Sequence, residues 1–125
     1  MDRSLQYDAT IQSDVCLIGD MQAQVGLESK TIRFYEQAGL IKPRRLGRFR
    51  VFDHEDAERL KVIKFLRRFD LSVQIIRKLL QQHQSMHVDS LPDDARLAIV
   101  DRLQQRREEI ASLEILLQTS TQNKM

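Results

Sequence analysis

Thr31-Ile32-Arg33-Phe34-Tyr35-Glu36, running on through Ala38-Gly39-Leu40 to Pro43-Arg44-Arg45, places a cation and two aromatic rings on the turns of a short helix. A glycine can end that helix, and a proline and paired arginines follow it. A guanidinium grips a guanine edge through two parallel hydrogen bonds, and flanking cations neutralise phosphates. The chemistry on offer is recognition of a polyanion. No paired acid and base, nucleophile constellation or phosphate-cradling glycine loop appears, and His54, His83 and His87 have no evident triad partners, so an enzyme is not expected.

The charge distribution points the same way. The net charge of the 125-residue chain is only +2, but residues 17–81 hold 14 Lys/Arg against 8 Asp/Glu, while residues 1–16 hold one against three and residues 82–125 five against seven. A basic centre between mildly acidic flanks fits a polyanionic partner for the centre alone; a solvated charged surface is the alternative. No apolar run is long enough to span a membrane. The start of the chain is acidic and polar, unlike a secretory signal. A lone cysteine, Cys16, cannot form an intrachain disulfide. The cytoplasm, at the nucleoid, is the expected location.

The elements that must position the cations are legible as periodicities. Residues 1–14 show none and read as a flexible leader. From Leu17 the pattern is helical, with Ile18, Met21 and Val25 on one face and Gly26 as punctuation. A second helix is expected from about Ser29 to Ala38, ended by Gly39 in a left-handed cap with Leu40 folded back. Helix, glycine turn and helix over about 20 residues is helix-turn-helix spacing. Around Gly47, Arg48 and Arg50 with Phe49 and Phe52 predict a two-stranded wing. Asp53 and Asp56 stand as a capping box for a third helix, and Ser72 caps a fourth, with Leu71 and Ile76 placed as a hydrophobic staple.

His83 to Leu91 is a polar connector. Pro92 suits a first helical position, and the helix it opens is expected to run to about Gln118. Ile99, Arg106 and Leu113 occupy one heptad core position of that helix, and Leu103, Ile110 and Leu117 the other, giving a short coiled-coil seam with one charged interruption. Nothing else of comparable length remains to cover it, so a second copy of the chain is the expected partner. The alternative is a fifth helix packed on its own domain. The expected organisation is a leader (1–14), a DNA-binding domain (15–83), a linker (84–91), a dimerisation helix (92–118) and a disordered tail (119–125).

These elements, in this order, resemble the MerR family of bacterial transcription regulators. Ile18-Gly19-Asp20 is similar to the family's opening of the first helix. Ser29 to Glu36 looks like its recognition helix, close to the version in the copper-sensing branch. Gly39-Leu40, Pro43 and Arg45 match the run into the wing, and Phe52-Asp53, Asp56 to Leu60 and Ile63 match the third helix. The resemblance implies that Lys30, Arg33 and Tyr35 face the major groove or its phosphates, with Arg33 the best candidate for a base contact. It implies that Arg45, Phe49 and Arg50 lie along the backbone from the wing, joined by the extra cation Arg48, and that Lys64 and Arg67 hold phosphates. For Tyr35 and Phe49 a place in the core is the alternative.

Three positions depart from the family pattern. Glu28 stands where Ser or Thr is usual, removing a side-chain cap worth about 1 kcal/mol. Gly47-Arg48-Phe49-Arg50 replaces Asn-Gly-Tyr-Arg, moving the turn glycine by one residue. Asp70 replaces a glycine, and aspartate tolerates a left-handed backbone better than most residues. Metal-sensing relatives bind their ion through cysteines that this sequence lacks, and an iron–sulfur centre needs several. Two weaker sensor candidates remain. His83 and His87 would share a face for zinc, nickel or cobalt if helical, and Cys16 would react with oxidants if its pKa were lowered.

The expected fold is thus mainly α: a winged helix-turn-helix of four helices and a small β wing, followed by a long antiparallel coiled-coil dimerisation helix. It is read as a short member without an appended effector domain and without a cofactor. The resemblance implies a homodimer on an inverted repeat in a promoter, bending and untwisting the spacer so that RNA polymerase can engage. The alternatives are an architectural DNA-bending accessory protein on the same fold, or a coiled-coil adaptor.

Overall fold

The computed structural model describes residues 15–123; the expected leader, residues 1–14, lies outside them, as do Lys124 and Met125. Strand β1 (Val15–Cys16) leads into α1 (Ile18–Val25) and α2 (Ser29–Gln37). A hairpin of β2 (Arg44–Leu46) and β3 (Phe49–Asp53) is followed by α3 (His54–Arg68), α4 (Val73–Gln82) and the long α5 (Asp93–Asn123). The fold is the expected winged helix-turn-helix followed by a long helix, with three corrections.

The sheet has three strands in the order β1-β3-β2, where a two-stranded wing was expected. Residues before the first helix pair with the far side of the wing, Val15 opposite Asp53 and Cys16 opposite Phe52. Second, α5 continues to Asn123, so the segment expected to be a disordered tail after Gln118 is helical over its described part. The hydroxyls of Thr119 and Thr121 donate to the carbonyls of Ile115 and Leu117, 2.9 Å each, one turn back. Third, Pro92 precedes the helix, its carbonyl accepting from the Arg96 amide at 3.1 Å. A proline there loses nothing, because the first amides of a helix have no intrahelical partner.

Helix ends follow the local chemistry. Gly39 takes φ 80°, and the amides of Leu40 and Gly39 reach the carbonyls of Tyr35 and Glu36 at 2.9 and 3.0 Å. This is the paired 6→1 and 5→2 closure that satisfies orphan carbonyls at a helix C-terminus. α3 closes in the same way on Asp70, at φ 62° the only non-glycine residue with positive φ among the described residues. The amides of Leu71 and Asp70 reach Leu66 and Arg67 there. At its start, Asp53 and Asp56 form the expected reciprocal box, with bonds of 2.8 and 2.9 Å, and Ser72 accepts from the Ile75 amide at the start of α4. Glu28 makes no side-chain cap, so α2 begins without one.

Inward side chains of all five helices and of β3 meet in one core. Ile32, Phe52, Leu60, Ile63, Leu66 and Ile76 are fully buried there. The connector expected to be merely polar contributes Met86 to this core, and α5 contributes Ala95 and Ile99. Ile99, assigned by its heptad position to an intermolecular seam, is therefore spent on the chain's own domain.

Asp56 gives the fold a pH dependence. Burial, opposed by the Asp53 amide bond and reinforced by the charge of Asp53, pushes its carboxyl up to about 6 from an ordinary 3.8. Between those values the folded chain holds a proton that the unfolded chain has shed. This contribution is therefore fully present below pH 3.8 and is lost as pH rises from there through about 6. After allowance for solvent screening of a half-buried group, the loss is about 1–2 kcal/mol. Unfolding midpoints in denaturant, followed from pH 4 to 7, should show this fall in the native chain and a flatter profile in Asp56→Asn; parallel profiles would contradict the assignment.

Candidate nucleic-acid interface

The outer face of α2 is set by its inner face. Ile32 and Tyr35, one turn apart, are 0% and 6% exposed. Helical geometry then turns Lys30, Arg33, Phe34 and Gln37 outward, and all four are exposed. Tyr35, expected on the DNA-facing side, belongs to the core. Phe34, half exposed with its ring centroid 5.7 Å from that of Tyr35, is the aromatic presented beside Arg33. The signal was available: Ile32 and Tyr35 already share an apolar period, which leaves Phe34 on the opposite side.

The wing projects next to this helix. Leu46 pairs with Phe49 across a two-residue turn, Gly47-Arg48. Gly47 has φ 63° and Arg48 is not among the positive-φ residues, the pattern of a type II′ turn. The one-residue shift of the glycine thus changes the turn type and preserves the hairpin. At the tip Leu46 and Phe49 are largely exposed, and the Arg48 guanidinium carbon lies 5.7 Å from the Phe49 ring centroid, within reach of a cation–π contact.

Arg45 and Arg50, directly opposite across the strands, both turn to Glu36 on α2. Arg45 Nη2 donates to one Glu36 oxygen at 3.2 Å and Arg50 Nε to the other. One carboxylate therefore joins the helix to the wing and holds two like charges side by side. Sequence reasoning missed this role of Glu36, because its partners lie 9 and 14 residues away.

Other cations serve the backbone. Lys64 Nζ donates to the Val25 carbonyl at the end of α1, 3.2 Å, and Arg67 Nη1 to the Leu71 carbonyl beyond α3, 2.9 Å. The family resemblance assigns both only to phosphates. Arg59 and Arg77, which sequence reasoning passed over, donate to the carbonyls of Leu40 and Ala38 after α2, 2.8 Å each through Nε. Helix C-termini leave carbonyls unpaired, and a long cation is a ready donor for them.

The structure places each of the conditional sensor candidates separately. α4 ends at Gln82, so His83 and His87 do not share a helical face. His83 Nε2 lies 2.8 and 2.9 Å from the Asp94 carboxylate oxygens, and His87 Nδ1 lies 3.2 Å from Glu58. With His54 they line a cleft of about 480 Å³, but among the described residues no three His, Cys, Asp or Glu side chains are grouped to hold an ion. The hydrogen bond from His83 draws the Asp94 carboxyl below its usual range, and those from His87 and Lys61 do the same for Glu58. Burial, then the charges of Asp20 and Asp56, pushes the Cys16 thiol up, the wrong direction for a reactive thiolate. Among the described residues, no helix is long and apolar enough to cross a membrane.

The remaining site residues lie on α5. Leu103, Ile110, Leu113 and Leu117 are exposed, whereas Arg106 Nη1 donates to the Asp70 carboxylate of its own domain at 3.2 Å.

A cationic helix face beside a basic hairpin, both held on a rigid helical core, defines a winged helix-turn-helix DNA-binding protein. The chain belongs to the MerR family: its residues 16–83 match the model described as the MerR HTH family regulatory protein. It is 42% identical over 65 residues to a ZntR-homologue transcriptional regulator of Haemophilus influenzae, covering 50% of this chain and 48% of that protein. It is 38% identical over 68 residues to the regulator HmrR of Rhizobium leguminosarum, covering 54% and 53%. The chain thus spans about half the length of these curated relatives. Among solved structures, the lead(II) complex of the transcription regulator PbrR691 from Ralstonia metallidurans superposes with TM-score 0.66 at 28% identity, covering 82% of this chain and 80% of that one. HiNmlR, a MerR family regulator lacking the sensor domain and bound to promoter DNA, shares the fold at TM-score 0.57 and 17% identity, covering 83% and 79%. These relatives are transcription regulators, and this chain carries the helix-turn-helix region of their family.

Proposed function

We propose that the chain acts as a homodimer on an inverted-repeat promoter operator, bending and untwisting the spacer so that RNA polymerase can use the promoter. The observation that carries this reading is the ridge on α5. Leu103, Ile110, Leu113 and Leu117 recur at seven-, three- and four-residue intervals, at 39%, 55%, 58% and 68% exposure. Such a stripe on a single helix is the pattern that a second helix covers. Antiparallel pairing of two α5 helices would carry two copies of α2 at a fixed separation. Arg33 and Lys30 from each copy would then enter successive major-groove faces, with the wing cations Arg45, Arg48 and Arg50 and ring Phe49 along the flanking phosphates. Lys64 and Arg67, though engaged with carbonyls, keep their charge toward the same backbone.

The test is to select bound fragments from random duplex DNA with the full chain, then footprint the preferred site and measure its bend. Two protected half-sites in inverted orientation, with a bend centred between them and altered transcription by RNA polymerase in vitro, are the expected result. A single protected half-site, or a straight spacer, would contradict the reading.

A further inference from the structure

We propose that Asp70 is a positioning residue that fixes the tilt of α5 on the DNA-binding domain, and so sets the distance between half-sites that the regulator accepts. The inference rests on the homodimer reading above. α5 touches its own domain in two regions. Near its start, Ala95 and Ile99 are buried in the core and the Asp94 carboxylate meets His83 Nε2 at 2.8 Å. Further along, Arg102 Nη2 and Arg106 Nη1 both donate to one oxygen of Asp70, at 2.6 and 3.2 Å. Among the described residues, those of α5 beyond Arg106 are exposed. Contacts confined to the first two turns leave a helix free to rock about them; a directional contact one to two turns further along restrains that motion.

Two observations suggest that this contact is built rather than incidental. Asp70 holds φ 62° where a glycine would sit without strain, so the position tolerates an unfavourable backbone while supplying a carboxylate. Arg102 is only 24% exposed, and its Nε is buried without a partner. Its Nη1 is also engaged, by Gln105 at 3.1 Å and Glu109 at 3.5 Å. A guanidinium that leaves one donor unsatisfied is held in place by its remaining bonds. In keeping with this geometry, the Arg102 bond draws the Asp70 carboxyl below its usual range.

The leverage is large. At about 1.5 Å per residue, Leu117 lies about 27 Å beyond Ile99 along α5. A change in tilt of about 10° moves that point by about 5 Å, more than the roughly 3.4 Å rise of one base pair. Since both copies would tilt, the two reading helices would shift relative to the duplex by more than one step.

The experiment uses the half-sites selected for the native chain, placed in a duplex library with spacers of varied length, and compares retention by the native chain, Asp70→Gly, Asp70→Asn and Arg102→Gln/Arg106→Gln. The native chain should show one sharp spacer optimum. Asp70→Gly removes the carboxylate and relieves the backbone, so it should unfold no earlier than the native chain. At the native optimum it should lose about tenfold in retention, with a broadened or displaced optimum and an unchanged base preference within each half-site. Asp70→Asn and the double variant should behave alike. A native chain indifferent to spacing would sink the homodimer reading and this inference with it. A sharp native optimum that Asp70→Gly reproduces would overturn the inference alone.

Discussion

Leu113→Asp is expected to leave a folded monomer that binds its operator at least a hundredfold more weakly than the native chain. Leu113 lies on the part of α5 that touches nothing in its own domain, so the substitution removes no intrachain contact. In the dimer it would strip the burial of two leucines, about 1.5–3 kcal/mol each, and put two unpaired carboxylates into an apolar seam. Loss of the second reading helix then removes the gain from bivalent engagement, about 10²–10⁴-fold. Light scattering with a gel-shift titration measures both. Ile115→Asp, at a similarly exposed leucine-like position two residues off the ridge, is the control and should remain dimeric. A dimeric Leu113→Asp chain, or equal dissociation by both variants, would remove α5 as the interface.

Arg33→Ala should have the largest effect on sequence preference. Arg33 is exposed beside Lys30 and Phe34 on the outer face of α2, free of the carboxylate that engages Arg45 and Arg50. A bidentate contact with guanine contributes about 1–3 kcal/mol of discrimination. Competition titrations with the selected operator and with single-base variants should show about a 10- to 100-fold loss on the operator, little change on random duplex, and a relaxed preference at one base pair per half-site. Tyr35→Phe, altering a buried ring, should bind near native strength. Equal losses on operator and random DNA would show that Arg33 serves only phosphates.

What could be read from the sequence was what local chemistry decides. The reciprocal box of Asp53 and Asp56, the Ser72 cap, the Gly39 closure and the apolar face of α1 each depend on residues within one or two turns, and the structure has them as expected. The missed features join distant residues. β1 pairs Val15 with Asp53, which no local pattern announces. Met86 is buried although its neighbours are polar. Ile99 satisfies a heptad as well as it satisfies its own core, and periodicity alone cannot choose between them.

The site divides along the same line. That α2 and the wing carry the recognition chemistry followed from residue types. Which individual side chains point outward depended on packing: Tyr35 went inward and Phe34 outward. Glu36, Arg59 and Arg77 acquire their roles only when the fold brings partners within reach. The family resemblance supplied positions for Lys64 and Arg67, but not the carbonyls to which they are bonded.

Those carbonyl bonds have a consequence for how tightly the protein's hold on DNA depends on ions in solution. A peptide oxygen is neutral and takes one donor of an ammonium's three or a guanidinium's five, so a cation resting on it keeps its charge and has N–H groups to spare for a phosphate. Lys64, Arg59, Arg67 and Arg77 are thereby fixed in place, and each of them that faces a phosphate can still release an ion. The slope of binding against salt should therefore count the phosphate-facing cations whether or not they also hold a carbonyl, while Arg45 and Arg50, which share the Glu36 carboxylate, should add less than two.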